Sequence, residues 1–487
     1  MSEKEGATED LPCLIAQAAA RQPSAPAIIA PALTLSYRDY HAAVVATAER
    51  LRAVRVKSGD VLGIVSPARA EYAVLLMAVF RMGAVACPIS PRWPPGAVEE
   101  AVRRARCRWV VGLDAAPTEN ACVVRFEDVV KMDAGPARHQ YAPRIQADVP
   151  ATIIFTSGST GTPKAAVQSY ANHYFSAAAS NSNLPIGPGD RWLLSLSLHH
   201  VAGLGVLFRC AAGGAAVVIP PPEESIEDAI VRTNVTHVSL VPTQLYRLLE
   251  LEQGREALRK LKAILVGGGV IPEAMIREAD RLSLPIFTTY GLTEMTSQVA
   301  TTRKGDPLDR LLTSGKPLLP DTVRIDTDGE ILVRGDTLFL GYLGAEGLER
   351  PLTPDGWFRT SDLGRVDCQG YLSVIGRKDN MFVCGGENVH PEEIEQYLCR
   401  IPGLRSAVVV PVPDAEFGAI PICFVMMEKG FETDAATLAK SLTEALPRHK
   451  IPRRFFPWPA EFEPGDMKLN RSILNALARQ LVAGSTL

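Results

Sequence analysis

Apolar residues along the chain follow two spacings that alternate from about residue 40 onward. Over residues 40–54 and 71–82 they recur every third or fourth position, which predicts helices. Over residues 61–66, 109–112 and 151–155 they form short runs rich in β-branched side chains, which predicts buried strands. The alternation continues through strands at 215–219 and 238–241, a helix at 243–252, and a strand at 263–266 that runs into Gly267, Gly268 and Gly269. Strands that alternate with helices predict layered α/β structure, with parallel-type sheets joined by helical crossovers.

The texture changes after about residue 310. Short strand patterns at 322–325, 330–334 and 370–375 are separated by Asp/Gly turns and predict a small β-subdomain. From Asn380 an α+β pattern begins, with helices at 391–398 and 435–445 and strands near 406–412 and 421–427. The expected fold class is therefore α/β: a large N-terminal domain over residues 1–377, carrying the β-subdomain, and a small α+β C-terminal domain over 378–487.

A chain of 487 residues, 47% of them hydrophobic, is long enough for more than one core. Its net charge of -3 gives no basic field for nucleic acid or an anionic membrane, so an anion site must be local and its ligand small. Nine cysteines, scattered without a Cys-x-x-Cys pair, disfavour a disulfide framework and structural zinc. With an acidic, polar N-terminus, this points to the cytoplasm. Residues 193–220 are apolar but interrupted by His199, His200 and Arg209, and read as core rather than a membrane span. A homo-oligomer is compatible with all of this.

The densest chemistry lies in Phe155-Thr-Ser-Gly-Ser-Thr-Gly-Thr-Pro-Lys164. Gly158 and Gly161 let backbone N–H groups converge on an anion, and the hydroxyls of the run with its lysine suit a polyphosphate. The lysine follows Pro163 and precedes Ala165, so the run is not a standard P-loop. Taken alone it fits a Ser/Thr/Gly surface turn equally well.

Further segments follow in order: Tyr290-Gly-Leu-Thr-Glu294, Gly356-Trp-Phe-Arg-Thr-Ser-Asp362, Gly376-Arg-Lys-Asp379 with Gly385-Gly-Glu-Asn388, and Lys468-Leu-Asn-Arg471. Together with the first run they resemble the adenylate-forming superfamily of acyl-CoA synthetases, luciferases and peptide-synthetase adenylation domains. The resemblance covers nearly the whole chain. It implies an enzyme that uses ATP and Mg²⁺ to activate a carboxylic acid and then passes the acyl group to coenzyme A.

Site residues follow from the same resemblance and the chemistry it needs. Thr156, Ser157, Ser159, Thr160 and Lys164, with Gly158 and Gly161, suit the β- and γ-phosphates. Glu294 is the candidate for Mg²⁺ together with Thr160, and Thr293 for the α-phosphate. Gly267 to Gly269 would let adenine approach the backbone, with Tyr290 and Gly291 beside it. Asp362 has two acceptor oxygens for the ribose hydroxyls, assisted by Arg377, although an aspartate in a turn can simply cap a helix. Lys468 is the candidate to bridge carboxylate and α-phosphate. It follows Met467, where the family usually has glycine. Lys378 matches the hinge about which the family's C-terminal domain, a mobile lid, rotates between half-reactions.

The acid is read from a finer pattern. No aspartate for an amino group lies in Leu198-His-His-Val-Ala-Gly203. Lys164-Ala-Ala-Val-Gln-Ser-Tyr with Asn172-His173, Asp190-Arg-Trp-Leu-Leu-Ser-Leu and His237-Val-Ser-Leu-Val-Pro-Thr-Gln-Leu245 resemble family members that ligate an aromatic diacid to coenzyme A. Arg209, inside an apolar segment, is the candidate counter-ion for the second carboxylate, because a charge there needs a partner or a wet cavity. The alternative is a helix arginine reaching the surface. Ser297 and Gln298 could bind the same end, Gly268 could line the acyl pocket, and His200 resembles a gate beside it. His173 and His237 read as structural. A ligase for another acid, and a nucleotide-binding protein without catalysis, are the competing readings. Acid-dependent pyrophosphate release separates the last from the others.

Overall fold

Alternation of buried strand and crossover helix generates both large sheets of this computed structural model, which describes residues 10–112, 121–132, 144–156, 163–428, 430–431, 433–443, 445–459 and 471–483. Val61–Val65 and Val85–Ile89 pair in parallel, and helix Ala70–Arg81 between them is buried along nearly its whole length. The sheet extends in parallel to Trp109–Val111 and Cys122–Val124 on one side and to Pro150–Thr156 on the other. There Lys164–Ser169 turns back antiparallel, followed by Gly341–Leu343 and Leu348–Glu349. The parallel expectation therefore holds for the centre and not for the edge. A loop of seven residues is too short for a parallel crossover, so 150–169 can only form a hairpin.

The second sheet has nine strands with the same plan. Its parallel centre runs Ile286–Leu292, Ala263–Val266, His237–Leu240, Arg191–Leu193, Ala216–Val218 and Pro26–Ala30. Leu33–Ser36 closes one side antiparallel, and Ser297–Thr301 with Lys316–Pro317 beyond it closes the other. The helix expected over 243–252 ends at Glu250, Leu251 is extended, and a second helix spans Glu252–Arg259. A side chain at Gly254 would strike the Leu248 carbonyl, so the glycine lets the two helices fold against each other.

The β-subdomain is a four-stranded antiparallel sheet, Val323–Ile325, Glu330–Val333, Phe358–Val366 and Leu372–Arg377. The small C-terminal domain holds hairpin Phe382–Cys384 with Glu387–Val389, and a sheet of Leu404–Asp414, Gly418–Met427 and Arg454–Pro457. Helices Pro391–Leu398, Ala435–Thr443 and Arg471–Ala483 pack around it. It meets the N-terminal domain through Arg400 and Glu273, 3.0 Å apart, and through Arg405 over the Tyr246 ring. Among the described residues no helix is long and apolar enough to cross a membrane.

Candidate active site

Thr156, Gly267 and Tyr290 stand at the carboxyl ends of parallel strands, where open α/β sheets place their ligands. Thr156 pairs across the hairpin with Lys164, so the two ends of the hydroxyl-rich run stand side by side. Ser157, Gly158, Ser159, Thr160 and Gly161 lie outside the described residues. Strand Gly341–Leu343 sets Tyr342 next to this hairpin. The Lys164 ammonium lies 5.0 Å from the centre of the Tyr342 ring, and the Tyr342 hydroxyl donates to Glu294 Oε1 at 2.6 Å. Burial, with the Glu294 charge adding to it, holds the Tyr342 hydroxyl protonated.

Glu294 sits in a 3₁₀ turn, Thr293–Met295, followed by two residues with positive φ, Thr296 (56°) and Ser297 (131°). Residues other than glycine adopt such angles at a cost of roughly 1–3 kcal/mol each. Surrounding bonds hold the turn in place. Thr296 Oγ1 donates to the Thr337 carbonyl, Ser176 Oγ to the Thr296 carbonyl, and the Phe339 N–H to the Glu294 carbonyl. Gly291 has its own packing reason, because any side chain there would strike the Ser297 carbonyl.

Below the turn runs a buried polar chain. Gln168 Nε2 donates to the Thr293 carbonyl at 3.2 Å, Thr152 Oγ1 donates to Gln168 Oε1 at 2.7 Å, and His173 Nε2 stands 2.8 Å from Thr152 Oγ1. The threonine has one proton and gives it to the glutamine, so the His173 proton resides on Nε2. Burial depresses His173 to about 3, and its ring stacks on Phe208. His173 is thus neutral and structural in character, but it supports the turn that carries Glu294.

Gly267, Gly268 and Gly269 emerge from strand Ala263–Val266, with Gly268 and Gly269 exposed and Gly268 at φ 79°. A methyl group on Gly267 would stand 2.6 Å from Thr289 Cγ2. On the neighbouring strand Tyr290 donates to Asp362 Oδ2 at 2.5 Å, and Arg377 Nη1 donates to Asp362 Oδ1 at 3.0 Å. Asp362 and Arg377 are cross-strand partners, so Asp362 lies inside a strand and caps no helix. Ser361, at φ 60°, gives its N–H to Glu330 Oε1 and turns the chain so that Asp362 faces Tyr290. Burial raises the Asp362 carboxyl above its ordinary value, with Arg377 opposing.

Arg209 is 1% exposed, which rules out an arginine reaching the surface. Its Nη2 donates to Ser297 Oγ at 3.0 Å, and its Cζ lies 5.3 Å from the centre of the Trp192 ring. Nε and Nη1 have no hydrogen-bond partner among the described residues, and neither has Gln298 Oε1, whose amide Nε2 donates to Thr301. Burial lowers the guanidinium to about 10, so it stays charged at neutral pH. His200 precedes helix Val201–Gly213, its ring 4.6 Å from that of His199. Burial, with His200 and Arg92 nearby, brings His199 down to about 4.

Lys378 bonds to Asp328 Oδ2 at 2.7 Å and to Glu330 Oε2 at 3.3 Å, both on the β-subdomain. Lys468 lies outside the described residues. Arg471 packs inside the C-terminal domain, 2.7 Å from Glu395 Oε1 and 3.4 Å from Glu392 Oε1. Tyr342, Glu330 and Gln168 escaped the sequence reading of the site. None stands in one of the ordered motifs; Gln168 lies in the finer pattern that starts at Lys164, and its neighbours there give no sign of a contact with Thr293.

The Thr156–Lys164 pair, the carboxylate turn of Glu294 and the Tyr290–Asp362–Arg377 network define a nucleotide-binding enzyme. The chain belongs to the AMP-binding enzyme family, which it matches over residues 15–343, with the AMP-binding enzyme C-terminal domain matched over 393–461. It is 35% identical over 422 residues to a 2-succinylbenzoate–CoA ligase of Salmonella typhimurium, covering 86% of this chain and 87% of the relative. Bacillus subtilis o-succinylbenzoate CoA synthetase in complex with its acyl-adenylate superposes with a TM-score of 0.84 at 30% identity, covering 96% of this chain and 98% of the other. The same Bacillus subtilis enzyme in complex with ATP and magnesium ion gives 0.83 at 30% identity, covering 95% and 99%.

Proposed function

We propose that this chain is an AMP-forming ligase that activates 2-succinylbenzoate with ATP and transfers the acyl group to coenzyme A, a step of menaquinone biosynthesis. Kinship with the Salmonella ligase and the Bacillus synthetase supports the reaction. The observation that carries the acid is Arg209: a buried, charged guanidinium with two nitrogens unpartnered among the described residues asks for an acceptor, and a second carboxylate on the substrate is one.

In this reading the succinyl carboxylate attacks the α-phosphorus, the P–O bond to pyrophosphate breaks, and the thiol of coenzyme A later displaces AMP. Thr156, Lys164 and the run between them bind the outgoing phosphates. Tyr290, Asp362 and Arg377 hold the nucleoside, with Gly267 to Gly269 along the adenine. Mg²⁺ commonly uses one or two carboxylates plus substrate phosphate oxygens, and Glu294 beside Lys164 fits that need. When bound, the ion would offset charge on the departing pyrophosphate. Thr293 orients the α-phosphate, and Lys468 is brought in by the C-terminal lid. The chain divides after Arg377 with Lys378 as the hinge, and the protein works in the cytoplasm, where its nine free cysteines would stay reduced.

Arg209→Leu tests the acid assignment. The KM for 2-succinylbenzoate should rise about a hundredfold, the scale for removing one partner of a buried charge pair, while the KM for ATP stays put. An unchanged KM for the diacid would remove Arg209 from the acid site. Faster turnover by the unaltered enzyme with other aryl or alkyl acids would keep the mechanism and discard the substrate.

A further inference from the structure

Arg209 is itself held in place. A long side chain on a helix leans toward the helix N-terminus, over the residue four positions earlier. For Arg209 that residue is Gly205, in helix Val201–Gly213. A methyl group on Gly205 would stand 3.1 Å from Arg209 Nη2 and 3.3 Å from Cζ, so the guanidinium would have to give by a few tenths of an ångström.

A second contact comes from Trp192, which is fully buried and lies under the guanidinium at 5.3 Å. Its indole N–H donates to Ser239 Oγ at 3.2 Å, and its ring stacks on His237 with centroids 5.3 Å apart. His237 stands 2.8 Å from Thr236 Oγ1, and burial lowers its basicity, so it adds no second positive charge beneath the arginine. Arg209 thus has a bare glycine along one contact, an aromatic face along another and Ser297 at Nη2.

We infer that Gly205 and Trp192 are positioning residues that set the Arg209 guanidinium so that Nε and Nη1 stay open to an anionic group on the substrate, and thereby fix the preference for a dicarboxylic acid. The inference rests on the ligase reading above. Gly205 acts by lacking a side chain, and Trp192 by offering a flat face that attracts the cation without taking any of its N–H donors.

The test compares 2-succinylbenzoate with benzoylpropionate, which keeps the keto acid chain and lacks the ring carboxylate. Pyrophosphate release at saturating MgATP and coenzyme A gives kcat/KM for each acid. The unaltered enzyme should prefer the diacid. Gly205→Ala should cut that preference about tenfold, the worth of one charge-assisted hydrogen bond, through a higher KM for the diacid alone. Alanine is the better helix former, so its Tm should hold or rise. Trp192→Phe should cut the preference in the same direction. A Gly205→Ala enzyme with unchanged preference, while Arg209→Leu loses it, would overturn the inference and leave the ligase reading standing. An unaltered enzyme with no preference for the diacid would overturn both.

Discussion

Tyr342 donates its hydroxyl proton to Glu294 Oε1 at 2.6 Å while its ring faces the Lys164 ammonium at 5.0 Å. One side chain therefore touches the cation and the carboxylate proposed to flank the nucleotide phosphates. Tyr342→Phe keeps the ring and deletes the bond that orients Glu294. A hydrogen bond to a charged group is worth about 1.5–3 kcal/mol. The Mg²⁺ concentration for half-maximal rate should therefore rise about tenfold or more, with the KM for the acid unchanged. A magnesium titration of initial rates checks this, and an unaltered midpoint would mean that Glu294 is held by its turn alone.

The buried histidines make the protein acid-labile. Burial carries His173 from its ordinary 6.5 to about 3. The unfolded chain takes up that proton near the first value and the folded chain only near the second. Stability is therefore full above the first value and drains away as pH falls between the two. At about pH 5 this one residue should cost about 2 kcal/mol. His199, His237 and His41, all lowered chiefly by burial, act in the same direction. Urea midpoints at neutral pH and at about pH 5 measure the loss, and His173→Gln should make the profile shallower.

The same histidine shows where sequence reading stops. Strand and helix spacing placed Val61–Val65, Ala70–Arg81 and Ala263–Val266 to within a residue and missed the start of Tyr37–Ala53 by three, because a buried strand and a half-buried helix leave different periods in the chain. Tyr290, Asp362 and Arg377 stand in ordered motifs, and the fold joins them in one network. Tyr342 left no such trace. It reaches Glu294 because a short strand near the sheet edge pairs with the hairpin of Lys164, and that pairing is set by tertiary packing rather than local pattern. Trp192 and His237 lie in the segments that carry the finer resemblance, but only the parallel register of strands Arg191–Leu193 and His237–Leu240 brings them together beneath Arg209. The antiparallel sheet edges were missed for a simpler reason: the strand patterns are the same in either direction, and only loop length distinguishes them.

Lys468 and Lys378 should separate the two half-reactions. Lys468→Ala should lower acid-dependent pyrophosphate release by about a thousandfold, as for the loss of a group that stabilises charge in the transition state, and leave thioester formation from preformed acyl-AMP largely intact. Lys378→Pro should do the reverse, because a fixed φ at the hinge would restrict the rotation of the lid. Single-turnover assays of each half-reaction read both. Equal losses in both halves for Lys378→Pro would argue against a hinge.

The most direct test mixes the purified protein with MgATP and 2-succinylbenzoate, with and without coenzyme A, and follows pyrophosphate and products by mass spectrometry. The account predicts acyl-adenylate without coenzyme A, and 2-succinylbenzoyl-CoA with AMP when it is added. Absence of both products with this acid, from folded protein that binds ATP, would contradict it.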